Sequence, residues 1–318
     1  MTVTSPAPAP AETPLRSLWI ELTGMCQLSC SHCYAGSGPE GTHGTMTPQD
    51  WEAALTQAAG LGTRAVCFIG GEPTLNPALP RLVRHALSTG MHAEVFSNLV
   101  HVTPGLWELF ETPGVSLATS WYTSDRDEHK QITGRDTFRQ TLSNITEARR
   151  RNIPLRVGMV TGILPAQHAA QGEEMLRLLG ITSIGTDHLR QFGRGTSPDP
   201  AQACGHCGHH RAAILPDGTV TPCPLTRWMN AGNITGTPLA DIVGTVTQMA
   251  ATLPASAQRC DPTCAPEMSE PCDPFPCQPG RNTDSAPAPA EAACNPDPCM
   301  PDHWCNPLCT PGACKPNI

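Results

Sequence analysis

Between Leu18 and Arg194, short runs of β-branched and apolar residues alternate with longer stretches whose apolar residues recur every three or four positions. Runs of the first kind mark strands buried in a sheet, and stretches of the second kind mark amphipathic helices that cover it. The pattern predicts six strands, at 18–22, 65–69, 93–97, 115–120, 155–161 and 184–189, with helices between them. In "TPQDWEAALTQAAGLG", Thr47 can cap a helix, Pro48 suits N1, Asp50 sits at N3, and Gly60 or Gly62 ends it. Asp136 is read as the start of the amphipathic stretch ending "ITEARRR". Strand–helix alternation predicts an α/β fold with a parallel sheet. Six βα units are too few for the closed eight-fold barrel, so the expectation is a partial (β/α)6 TIM-like barrel with its chemistry at the C-terminal strand ends.

After Arg194 the pattern dissolves into Gly, Pro, His and Cys. "RAAILPDGTVTPCPL" still reads as a hairpin with Asp217-Gly218 in its turn. From 259 onward the chain is nearly all Pro, Cys, Asp and Ala, and each of its nine cysteines is followed two residues later by proline. Such a repeat forbids helix and keeps each thiol on a turn. The expected division is a disordered Pro/Ala-rich lead-in at 1–16, an α/β core at 17–195, a cysteine-containing region at 196–294 and a Cys/Pro-rich tail at 295–318.

The formal charge is −8 with a pI near 5.8 and no Lys/Arg run, which argues against nucleic acid as a partner. The N-terminus lacks the basic and apolar regions of a signal peptide, and no apolar run approaches a bilayer span, so the expected location is the cytoplasm, without a membrane partner. Sixteen cysteines in a reducing compartment point to metal or redox chemistry rather than disulfides.

"CQLSCSHCY" places Cys26, Cys30 and Cys33 on the loop after the first strand. Three thiols at this spacing can hold three corners of a cubane iron–sulfur cluster and leave the fourth iron open for a ligand, as catalytic zinc keeps an open position. The competing readings are a zinc site and buried structural thiols. "GGEP", residues Gly70, Gly71, Glu72 and Pro73, ends the second strand, and Ser97-Asn98 ends the third. With these motifs, residues 17 to 194 resemble the radical S-adenosylmethionine (SAM) superfamily. The resemblance implies a four-iron, four-sulfur cluster on Cys26, Cys30 and Cys33 whose open iron chelates SAM. Reduction then cleaves SAM to methionine and a 5′-deoxyadenosyl radical, which abstracts hydrogen from substrate. It also implies SAM contacts from Gly70, Gly71, Glu72 and Pro73, with the Glu72 carboxylate on the SAM ammonium, and from Ser97 and Asn98. His32 stands where the family has an aromatic residue before the third cysteine. Gln27 replaces the family's usual Asn, and Leu99 replaces the Gly of its Thr-Asn-Gly.

Two further patterns are set aside. "GSGPEG" fits a dinucleotide-binding glycine pattern, but no strand precedes it and Pro39 interrupts it. Cys67, within "AVCFI", is read as a packed core thiol. His129, Tyr122 and Arg190, near predicted strand ends, are read as structural, and the sequence names no catalytic residue.

The region from Cys204 to Cys223 resembles the opening of the SPASM/twitch extension, which houses auxiliary four-iron clusters. By that resemblance, Cys204, Cys207, Cys223 and Cys277 would ligate a first auxiliary cluster, and Cys260, Cys264, Cys272 and Cys294 a second. Zinc competes here, because His206, His209 and His210 lie among the thiols. Cys299, Cys305, Cys309 and Cys314 suit either a further cluster or a metal-scavenging tail.

The resemblance implies a radical SAM enzyme whose commonest substrates are ribosomally made peptides, which are cross-linked, epimerised or oxidised. A flavodoxin- or ferredoxin-type protein would be the reductant. The sixteen residues before the first strand are too few for a leader-peptide-binding domain, so a separate recognition protein, or a small substrate, is expected. The alternatives are radical oxidation of a small-molecule cofactor precursor and a non-catalytic iron–sulfur or metal-binding protein.

Overall fold

The computed structural model describes residues 15–194, 196–203 and 205–254. Residues 1–14 of the expected 1–16 lead-in, Cys204, and every cysteine from Cys260 onward lie outside the described residues, whereas Leu15 is buried in the core.

Six strands, β1 (Ser17–Thr23), β2 (Ala65–Gly70), β3 (His92–Phe96), β4 (Val115–Trp121), β5 (Leu155–Thr161) and β6 (Ile184–His188), pair in parallel in the order β6-β5-β4-β3-β2-β1. Helices α1 (Pro48–Gly60), α2 (Leu79–Ser88), α3 (Pro104–Phe110), α4 (Arg126–Thr133), α5 (Phe138–Arg150) and α6 (Ala166–Leu178) lie in the connections. Beyond β1 the sheet continues into the C-terminal region. There β7 (Arg211–Ile214) pairs in parallel with β1, and β8 (Thr219–Thr221) and β9 (Gly232–Asn233) follow antiparallel. The hairpin around Asp217-Gly218 is therefore present, and it extends the parallel sheet. A last helix, α7 (Leu239–Ala250), buries Leu239, Ile242 and Val246 in the same core.

The sheet has two chemically different faces. Leu18, Ile20 and Leu22 of β1, Val66 and Phe68 of β2, and Val95 of β3 join one apolar cluster with Trp51 and Leu55 of α1 and Leu82 of α2. Alternation puts Trp19, Glu21, Cys67, Glu94, Phe96, Arg156 and Arg211 on the other, inner face. Cys67 is 3% exposed, as the core reading requires, but its neighbours are polar, and its Sγ donates to Glu94 Oε2 at 3.3 Å. "AVCFI" is apolar throughout, so composition hid which face each residue serves.

Glu94 accepts Arg156 Nε and Nη2 at 2.7 and 2.6 Å, a fork that crosses from β5 to β3 over the small Ala118 of β4. The Arg156 guanidinium also lies 5.3 Å from the Phe96 ring centroid. Burial pushes the Glu94 carboxyl up, but the charge and hydrogen bonds of Arg156 outweigh it and hold the acid below its ordinary range. Arg156→Met would strand a buried carboxylate and is expected to cost about 3–5 kcal/mol in urea denaturation, whereas Glu94→Leu with Arg156→Met should recover most of it. A carboxylate with a depressed folded pKa stabilises above its unfolded pKa and loses that contribution as pH falls through the folded value. In Arg156→Met burial alone acts and raises the Glu94 carboxyl, so the wild type's advantage should shrink as pH falls from the variant's raised value through the wild type's depressed one.

Thr47 caps α1 as expected: its Oγ1 accepts Asp50 N at 3.2 Å and its own N donates to Asp50 Oδ2 at 2.9 Å. Asp136 does not start the next long helix. Helix α5 begins at Phe138 with Thr137 at the N-cap, because the Asp136 carboxylate is taken by the Arg126 fork from α4. Among the described residues, no helix is long and apolar enough to cross a membrane.

Candidate active site

Parallel strands joined by helical crossovers bring their C-terminal ends to one rim. On that rim lie the loop of Cys26, Cys30 and Cys33 after β1, Gly70–Pro73 after β2, Ser97 and Asn98 after β3, Tyr122 after β4 and residues 190–194 after β6.

The three-thiol loop is tied down along its length. Cys26 N donates to Gly38 O at 3.0 Å, and Ser29 N and Ser31 N donate to Thr133 O and Ile132 O at the end of α4, at 3.0 and 2.9 Å. Cys26 is buried, and Cys30 and Cys33 are half-buried. Cys26 Sγ accepts Leu28 N at 3.4 Å and Asn98 Nδ2 at 3.6 Å. Gln27 and Asn98 pair through their amides, with Gln27 Nε2 donating to Asn98 Oδ1 at 3.0 Å, which gives the replacement at position 27 a place in the site.

Burial, with the charge of neighbouring acids and thiols, pushes Cys26 up to about 11 and Cys30 up to about 12. Thiols so placed become ligands only when a cation offsets their charge, and iron binding would release their protons. The three sulfurs lie within reach of one another's charge. Three thiols held together on one loop suit three corners of a cubane cluster.

The GGEP segment abuts the root of this loop. Gly70 has φ +121°, and a Cβ there would stand 2.5 Å from Thr23 O; one on Gly71 would stand 2.2 Å from Met25 O. Only glycine lets β2 end against β1 in this way. Glu72 is 0% exposed. Its Oε1 accepts Thr74 N, Thr74 Oγ1 and Ser97 Oγ at 3.1, 2.7 and 2.8 Å, and its Oε2 accepts Asn98 N at 2.7 Å. The carboxylate expected on the SAM ammonium thus stitches the ends of β2 and β3 together. Glu72→Gln, which turns an NH2 group toward one of these donors, is expected to cost the metal-free protein about 1–3 kcal/mol in urea denaturation. Unchanged stability together with weakened SAM binding would make the contact with the SAM ammonium the main role of the carboxylate.

His32 meets the Tyr122 ring edge-on at 5.1 Å, and burial lowers its pKa to about 4, so it is neutral near pH 7. The Tyr122 hydroxyl bonds to Ser120 and lies within reach of the charge of all three thiols. His129, 2% exposed, sits among Trp121, Tyr122 and Phe138, and the Arg190 fork holds Asp187.

The sequence reading missed a cavity of about 320 Å³ beside the third thiol, walled by Tyr34, Phe192, Arg194, Leu225, Arg227 and Trp228. Phe192 and Trp228 stack at 5.4 Å and 26°, joining the segment after β6 to the one after β8, and Trp228 stays 40% exposed. Arg227 pairs with the buried Glu21 on the inner face of β1. These contacts span the chain and left no local signal, although an aromatic residue and an arginine near a strand end could have prompted a search.

Cys207 and Cys223 flank the β7–β8 hairpin, which brings both into one small buried cluster with Ala203, Leu225 and Ala250. Gly208 N donates to Pro222 O at 3.0 Å and fixes the two arms. Cys204, Cys277, Cys260, Cys264, Cys272 and Cys294, expected to complete two auxiliary sets, lie outside the described residues.

The sequence model of the radical SAM superfamily matches residues 20–179, and that of the SPASM iron–sulfur cluster-binding domain matches 187–266. The chain is 24% identical over 181 residues to the AdoMet-dependent heme synthase of Methanosarcina barkeri, covering 56% of this chain and 52% of that protein. It is 29% identical over 206 residues to the PqqA peptide cyclase of Ruegeria pomeroyi, covering 63% and 51%. It thus spans about half the length of these curated relatives. Streptococcus suis SuiB bound to the precursor peptide SuiA has the same fold, with a TM-score of 0.63 at 13% identity over 78% of this chain and 69% of that one. The first of the two sequence matches takes in half of the chain, from β1 through α6, so the strands that carry the three-thiol loop are those of a member of the radical SAM superfamily, followed by a SPASM domain.

Proposed function

We propose that this protein reductively cleaves SAM and uses the resulting 5′-deoxyadenosyl radical to abstract hydrogen from a ribosomally synthesised peptide, leading to a cross-link, epimerisation or oxidation. Family membership brings a 4Fe-4S cluster, SAM and the auxiliary clusters of a SPASM domain as cofactors. When bound, the cluster supplies the electron that breaks a carbon–sulfur bond of SAM.

The observation that carries the reading is the placement of Cys26, Cys30 and Cys33 close together on a pinned loop at the C-terminal rim. These residues would hold the cluster. Gly70, Gly71, Glu72, Pro73, Ser97, Asn98 and His32 would shape the SAM site around it. Cys207 and Cys223 would belong to an auxiliary set completed by cysteines further along, and the boundary between the two regions would fall near residue 195.

A peptide is favoured by relatives named for peptide chemistry. Oxidation of a small precursor remains the second reading because a relative is named a heme synthase. The test is anaerobic reconstitution with iron and sulfide, reduction with dithionite and assay of 5′-deoxyadenosine. Its formation is expected, with iron near four, eight or twelve atoms per chain counting the clusters, at about four each. No 5′-deoxyadenosine from the fully loaded protein would overturn the proposal. A mass change in a co-encoded short peptide separates the peptide reading from the small-molecule one.

A further inference from the structure

The loop between β1 and α1, residues 24–47, carries all three thiols and has no helix or paired strand of its own beyond an isolated bridge from Met25 to Gly38. A connection this long keeps one shape only where other segments hold it. On the side of Cys30 and Cys33, two residues after β6 do much of that work. Arg194 N donates to Cys33 O at 3.0 Å, its Nε donates to Cys30 O at 3.0 Å, and its Nη2 donates to Ser37 O. Gly193, at φ +84°, lies so close that a Cβ on it would stand 2.2 Å from Cys33 O and 2.4 Å from Tyr34 Cα.

We propose that Gly193 and Arg194 latch the cluster loop, with Arg194 as a positioning residue that fixes the separation of Cys30 and Cys33 and so governs how firmly the cluster is held. This rests on the proposed cluster at Cys26, Cys30 and Cys33. A planar fork suits the task because it presents several donors in a rigid frame to two carbonyls at once, which a lysine cannot do. The guanidinium spends its hydrogen bonds on the Cys30 and Ser37 carbonyls and keeps its charge beside Cys30. A fixed cation beside a cluster ligand also raises the reduction potential, since net charge and hydrogen bonds around the sulfurs set it.

The test uses the full chain, reconstituted anaerobically, as wild type, Arg194→Gln, Arg194→Lys and Gly193→Ala, with Arg150→Gln as an exposed control. The cluster at the three thiols is the one whose reduced-state electron paramagnetic resonance signal changes when SAM is added. Its loss to the chelator bathophenanthroline and its midpoint potential are the two readouts. Arg194→Gln and Arg194→Lys should each lose this cluster about tenfold faster than wild type, as expected for a lost hydrogen bond to a charged group. Gly193→Ala should also lose it faster, by displacing Cys33 with no change of charge, and it carries the test if an Arg194 variant fails to fold. The potential should fall in Arg194→Gln and hold in Arg194→Lys. Wild-type loss rates in both Arg194 variants would overturn the latch, as would a wild-type rate in Arg194→Lys alone, which would leave only charge. Absence of a SAM-sensitive signal in the wild type would instead refute the proposed function.

Discussion

Alanine at Cys26, Cys30 and Cys33 together is expected to reduce 5′-deoxyadenosine formation to background, and each single substitution to do nearly the same. A cubane with two protein ligands is labile, and SAM can chelate one iron but cannot replace a thiolate at another corner. The local geometry offers no substitute. Among the described residues the other cysteines are Cys67, turned to the inner face against Glu94, and Cys207 and Cys223, flanking the hairpin. Iron bound in the SPASM domain should persist in the triple variant, so total iron falls by about four atoms while activity disappears. A triple variant that still makes 5′-deoxyadenosine would remove these residues from the cluster site.

The strands were legible because burial in a parallel sheet writes dense apolar runs between turn residues, and the capping box of α1 because Thr47 and Asp50 are three positions apart. The cysteine loop was legible because its chemistry requires a local spacing. What remained hidden depends on partners distant in sequence. Asp136 looked like a cap until Arg126 claimed its carboxylate. Cys67 is buried, as read, but nothing in "AVCFI" distinguishes the helix-covered face from the face that meets Glu94. For Glu72 the motif names the residue but not the four donors that converge on it from Thr74, Ser97 and Asn98. The hairpin was read, but not its pairing with β1, since an edge strand does not announce which edge it will join.

That pairing shapes the second large effect, the removal of the cysteine repeat by ending the chain after Ser256. The described fold would stay whole. Strands β7 to β9 continue the sheet from β1, Ile242 and Val246 of α7 lie in the main core, and Leu239 N donates to Gln57 Oε1 of α1 at 2.8 Å. What is lost is the set of thiols from Cys260 to Cys314, including every ligand expected for the second auxiliary cluster and Cys277 of the first. The shortened protein is therefore expected to keep the cluster at Cys26, Cys30 and Cys33 and to cleave SAM when reduced, yet to leave substrate unmodified, because auxiliary clusters serve to bind substrate or to take up the product's electron. A cut after Pro296 separates the tail from the repeat. It removes only Cys299, Cys305, Cys309 and Cys314, so iron should fall by about four atoms if those thiols hold a cluster, and stay constant if they do not. Full turnover by the form ending at Ser256, measured as modified substrate per 5′-deoxyadenosine formed, would show that the core and Cys207–Cys223 hairpin suffice and that the repeat plays no part in catalysis.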